Sequence, residues 1–149
     1  MIRSIRLQEI PSAVDSNSPS STLLIDPSLN SVVFYKYKGT LVERDTLDFN
    51  DSTLRSRIKH SLTRGSTLAL KLSSQDDISQ FLHRDAINPD LFNRSRISKD
   101  YLDSLSSGRD DYVLLDPNFR LVVIIAEENV PQCLQRFVDS GDLVPTRIV

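Results

Sequence analysis

The sequence predicts a three-layer α/β domain with a mainly parallel sheet, and three observations carry that expectation. The first is a run of six apolar residues, Leu121–Ala126, preceded by the turn formers Asp116-Pro117-Asn118 and followed at once by Glu127-Glu128-Asn129. A continuous, mostly β-branched run of this length reads as a strand covered on both faces, and its stiff side chains favour pleated geometry over a short helix. The second is alternation: short apolar strands recur between stretches with helical periodicity, the pattern of βαβ units. The third is size, since 149 residues can bury one core without staples.

Taken in order, residues 1–21 are expected to form an N-terminal segment and flexible linker. Ile2, Ile5 and Leu7 suggest a short edge element, and residues 11–21 are rich in Ser, Pro and Asn. Thr22–Ile25 reads as a strand closed by Asp26-Pro27-Ser28. Val32–Tyr37 has strand propensity but also fits a helix beginning near Ser28. Thr40–Asp45 is a further strand candidate. Asn50-Asp51-Ser52 offers caps for a helix over about 53–64, with Leu54, Ile58 and Leu62 on one stripe and Gly65 ending it. Thr67–Leu72 is the next strand. Residues 76–106 read as helical pieces: Asp76-Asp77 open one, Pro89 interrupts, Ser98 caps another and Gly108 stops it. Tyr112–Leu115 and Phe119–Ala126 flank Asp-Pro-Asn as a hairpin would. Pro131 starts a final helix carrying Leu134, Phe137 and Val138, Gly141 ends it, and Leu143–Val149 closes the sheet.

Composition narrows the function classes. A net charge of −2 gives no global attraction to nucleic acid or an anionic membrane. The basic face Arg55, Arg57, Lys59 and Arg64 lacks interleaved aromatics, so it reads as a solvated helix face, and nucleic acid is not an expected partner. The single cysteine, Cys133, rules out an internal disulfide framework and suits a reducing compartment, the cytoplasm by default. With no His beside it, Cys133 reads as a buried thiol rather than a nucleophile. His60 and His83 stand alone, without metal-ligand spacing. No apolar run approaches the roughly 20 residues a membrane helix needs.

Several segments, in order from about residue 22 to 149, resemble the fifth, degenerate AAA+ module of dynein heavy chains, a module also found in ankyrin-repeat and IQ-motif proteins. Leu24-Ile25-Asp26-Pro27-Ser28-Leu29-Asn30 is similar to that module's strand and Ile-Asp-Pro-Ser-Gly-Gln-Ala loop. His60–Gly65 with Thr67–Leu72 is similar to its helix, glycine and strand. Asp116–Leu121 is similar to its Pro-x-Phe-Arg-Leu strand, and Pro145–Val149 to its closing strand. The resemblance implies a P-loop NTPase-like fold, the AAA+ large subdomain, over 22–149. It implies a five-stranded sheet with 119–126 between the strands at 22–25 and 67–72, and a helix over residues 30–38. It also implies a cytoskeletal or ciliary setting and protein partners.

The residues at the implied nucleotide positions argue against catalysis. A phosphate loop needs glycines whose N–H groups cradle phosphates, a Lys for the β- and γ-phosphates and a Ser or Thr for Mg²⁺. Asp26–Val33 has no Gly and no Lys, and it begins with a carboxylate that repels phosphate. Asp26, Pro27, Ser28 and Asn30 are therefore degenerate nucleotide-site positions, with Ser28 or Asn30 expected to cap the following helix. The strand at 67–72 ends Lys71-Leu72-Ser73-Ser74-Gln75, without the Walker B acids a metal-assisted hydrolysis needs. Asp76 and Asp77 are the weak metal candidates, better placed as the acidic start of a helix. Asn129 occupies a sensor-like position beside Glu127 and Glu128, and Arg136 and Arg147 are isolated arginines of the kind that pair at surfaces. The expectation is a non-catalytic structural or protein-interaction module with no cofactor. The alternative is a residual ATP- and Mg²⁺-binding or hydrolytic domain.

Overall fold

A computed structural model describes residues 2–38, 41–43, 51–72, 89–106 and 113–149. Asp76, Asp77, His83 and Gly108 lie outside these residues. The described elements are β1 (Arg3–Ile5), α1 (Ile10–Asn17), β2 (Ser21–Ile25), α2 (Asn30–Tyr37), β3 (Leu41–Glu43), α3 (Asp51–Arg64), β4 (Thr67–Leu72), α4 (Lys99–Ser104), β5 (Arg120–Ile125), α5 (Gln132–Asp139) and β6 (Leu143–Ile148). Short 3₁₀ turns add Leu7–Glu9, Pro89–Phe92 and Arg94–Arg96.

The strands form one sheet in the order β1-β6-β2-β5-β4-β3, and each neighbouring pair is parallel. The sheet therefore has six strands rather than five. The added one is β1, the short edge element expected around Ile2, Ile5 and Leu7, where Arg3, Ser4 and Ile5 pair with Thr146, Arg147 and Ile148. The apolar run of β5 sits between β2 and β4, with Leu23 opposite Val123 and Leu70 opposite Val123 on the other side. Leu121 to Ile125 are all buried, which is why their sequence is apolar without alternation.

Helices cover both faces. One face buries Leu54, Ile58 and Leu62 of α3, Tyr101 and Leu102 of α4, and Leu134 and Phe137 of α5 against Leu23, Leu70 and Val123. The other packs Ile10, Ala13 and Val14 of α1 and Tyr35 of α2 against Leu24, Ala69, Val122 and Ile124. The stretch expected to be flexible is thus folded over residues 10–17. Burial of an i, i+3, i+4 stripe overrides the poor helix propensity of Pro11, Ser12 and Ser16. The expected hairpin is also corrected. Residues 113–116 carry no ladder, and the Asp116 N–H donates instead to the Leu62 carbonyl at 2.8 Å.

The expected stops hold. Gly65 and Gly141 end α3 and α5 with φ of +69° and +84°. At Gly65 a Cβ would lie 2.4 Å from Asp116 Oδ1, so the close approach of the two loops needs glycine twice over. Ser98 caps α4, its hydroxyl accepting the Tyr101 N–H at 3.2 Å. Among the described residues, no helix is long and apolar enough to cross a membrane.

Candidate functional site at the carboxyl end of the sheet

The sheet places its candidate site where β2 and β5 lie side by side and their connections leave to opposite faces, α2 on one and α5 on the other. In open α/β sheets the crevice beyond such carboxyl ends is where ligands bind. Asp26 follows β2 directly. Its N–H extends the ladder by donating to the Ile125 carbonyl at 2.9 Å, so its side chain starts from a fixed backbone.

The turn that follows sends the chain back over the sheet. The Leu29 N–H donates to the Asp26 carbonyl at 3.0 Å, and Leu29 itself adopts φ +59°. That left-handed conformation costs a non-glycine residue about 1 kcal/mol. It directs the amino end of α2 at the Asp26 carboxylate. Ser31 donates its backbone N–H to Oδ2 at 2.8 Å and its hydroxyl to the same oxygen at 2.6 Å, while the Ser28 hydroxyl donates to Oδ1 at 2.5 Å. A phosphate held at a helix amino end would use N–H and hydroxyl donors of this kind. Here the chain's own carboxylate takes them.

Asp26 is 1% exposed and Ser31 is fully buried. Burial pushes the Asp26 carboxyl upward, but the hydrogen bonds from Ser28 and Ser31 outweigh it and leave the group below the ordinary carboxylate range. It stays ionised at neutral pH and repels a second anion. The expectation that Ser28 or Asn30 caps α2 is corrected accordingly. Asn30 is exposed, Ser28 Oγ receives the Asn30 N–H only at 3.4 Å, and the cap is Asp26.

Outside this knot lies a cavity of about 380 Å³ whose lining includes Leu7, Asp26, Ser28, Asn30, Glu128 and Arg147. Pro27 also lines it. Arg147 donates to Glu128 Oε2 at 3.0 Å. This half-exposed pair contributes little stability, but it neutralises the arginine that faces the crevice. Asn129 is exposed and is not part of the lining; Glu128 takes the place expected of it. The two are neighbours in the bend that follows the end of β5 at Ile125. Ser31 was missed in the sequence, although an Asp followed across a Pro-Ser turn by Ser is a readable capping pattern.

The remaining candidates disperse. Arg136 lies over the Phe137 ring at 4.6 Å, Arg55 donates to the Ser104 carbonyl at 2.7 Å, and His60 is exposed. Cys133 is half-buried against the larger core. Among the described residues, no group of three or more His, Cys, Asp or Glu comes together as a metal site. No protein-family model matches the chain, and neither a curated protein nor a solved structure matches it.

Proposed function

We propose that this chain is a non-catalytic, AAA+-like module that acts through protein contacts, with dynein or the axoneme as its setting. The observation that carries the reading is the Asp26 carboxylate, seated on the helix-amino-end donors where a nucleotide phosphate would bind. Strand order supports it as well, since the run at 120–125 lies between the strands at 21–25 and 67–72. For the contact surface, α2 offers Val33 and Tyr37, one turn apart and 52% and 89% exposed. An exposed aromatic beside a β-branched residue is the kind of anchor that protein interfaces use.

The test is co-sedimentation of the purified chain with axonemes, run alongside a phosphate-release assay. Pelleting is expected to be the same with and without Mg²⁺-ATP, and phosphate release no faster than the blank. The double change Val33→Ser with Tyr37→Ala is expected to lower the pelleted fraction by about tenfold, the loss of about 1.4 kcal/mol of contact energy, with no change in Tm. Mg²⁺-dependent phosphate release, or pelleting indifferent to the double change, would overturn the proposal.

A further inference from the structure

A second cavity, of about 510 Å³, opens between α1 and α2 at the amino end of β4, away from the Asp26 crevice. We propose that it binds a small aromatic zwitterion of the size and charge pattern of an aromatic amino acid. The volume lies in the range of small-molecule sites, which combine apolar walls with a few placed polar groups. Val14 of α1 forms one wall, and Phe34 and Tyr35 of α2 form the other, their rings edge-to-face at 5.0 Å and 84°. A flat ring slid between them gains the same kind of edge and face contacts.

The polar groups point to what the ring carries. Ser66 lines the cavity, and its hydroxyl oxygen is buried with no hydrogen-bond partner. Orphaned buried hydroxyls are rare enough that each calls for a partner, and a ligand polar atom supplies one. Burial, and then the negative charge of Asp15, push the Tyr35 phenol well above its ordinary range, so it stays neutral. Two opposite charges stand on facing walls. Asp15 of α1 keeps an exposed carboxylate, with Arg120 Nε 3.3 Å from one oxygen. Lys38, just past α2, holds its ammonium 4.9 Å from the Phe34 ring. A ligand ammonium toward Asp15 and a carboxylate toward Lys38, with a ring between Val14 and Phe34, meets both charges and both walls.

The test is an amide-shift titration of the full chain with L-phenylalanine. Saturable shifts at Gly65, Ser66, Asp15 and Lys38 are expected, with a Kd on the order of 0.1–1 mM for a ligand of this size. Phenethylamine and 3-phenylpropionate, each with one charge, are expected to bind about three- to tenfold more weakly, and glycine, which has no ring, not measurably. Asp15→Asn and Lys38→Gln, both at the exposed rim, should each weaken binding by at least about threefold. Ser66→Ala should weaken it too while leaving Tm unchanged or raised by up to about 3 °C, because an unpaired buried hydroxyl is removed. Absence of shifts at Gly65 and Ser66 at roughly 10 mM ligand, or equal binding by phenethylamine, would overturn the proposal.

Discussion

Asp26→Ala is expected to lower the unfolding free energy by about 2–4 kcal/mol at pH 7, read as a fall in the urea midpoint at unchanged slope. The substitution leaves the Ser31 N–H, the Ser31 hydroxyl and the Ser28 hydroxyl without their acceptor, two of them on a buried residue. Hydrogen bonds to a charged group contribute roughly 1.5–3 kcal/mol each, discounted here because Ser28 can turn to water. The pH dependence follows in sign. Because the folded carboxyl titrates below its ordinary value of 3.8, its contribution is complete above about pH 4–5. It fades as pH falls further, so the gap between wild type and Asp26→Ala should narrow by pH 3. A second arm separates the loss of a cap from the loss of an anion. In Asp26→Gly the donors face an open crevice, and about 50 mM phosphate should raise Tm by about 2–4 °C beyond its effect on wild type. Potassium chloride at equal ionic strength should not. An equal phosphate effect on both proteins would mean that the carboxylate does not occupy an anion cradle.

The second large effect is expected at the opposite end of the sheet. Asp142, 4% exposed, accepts Arg96 Nη1 at 2.6 Å, Asn93 Nδ2 at 3.0 Å and the Ser140 hydroxyl at 3.1 Å. Its own carbonyl takes the Ser21 N–H at 2.9 Å. The segment 89–97 is thereby fastened across the starts of β2 and β6. Two more bonds run the same way, Arg94 N–H to the Pro19 carbonyl at 2.9 Å and the Ser21 hydroxyl to the Phe92 carbonyl at 2.6 Å. Asp142→Ala should cost about 2–4 kcal/mol. Arg96→Ala should cost somewhat less, since the two neutral donors remain on a carboxylate that is then short of its counter-charge. Arg96 is half-exposed, so a double-mutant cycle should give a coupling of about 1–2 kcal/mol rather than the larger value of a fully buried pair. The Arg94 amide should exchange faster in both variants. Additive losses in the cycle would mean that the ion pair is incidental to the strap.

How much of this was legible in the sequence depended on whether the deciding contact was local. The β5 run, the leucines of β4 and the α3 stripe were readable because burial writes itself directly into periodicity. The glycine and serine boundaries of α3, α4 and α5 were readable because caps are local chemistry. Segment 30–37 stayed ambiguous because Val32, Val33, Phe34 and Tyr35 favour a strand, whereas the Asp26 carboxylate at its amino end and Tyr35 in the core settle it as a helix. The edge strand at 3–5 answers the short edge element expected around Ile2, Ile5 and Leu7, whereas the helix at 10–17, expected as linker, is hidden in the sequence for the complementary reason. β1 exists only by pairing with β6, which lies nearly the whole chain away, and α1 exists only by packing on β2 and β5. The apparent hairpin at 116–118 failed because Asp-Pro-Asn specifies a turn, not what the preceding strand pairs with.

At the site, the absence of glycine and lysine from Asp26–Val33 was visible at once, and so was the repulsive carboxylate. Its positive role was not. That Asp26 accepts the donors at the start of α2, rather than merely opposing a phosphate, depends on the left-handed Leu29 that turns α2 back upon it.

Calorimetric titration of the purified chain with ATP in the presence of Mg²⁺ tests that role most directly. A cradle already holding its own anion should give no saturable heat up to about 1 mM nucleotide, a binding energy weaker than roughly 4 kcal/mol. A low-micromolar dissociation constant, lost on Ser28→Ala or Asn30→Ala, would contradict it.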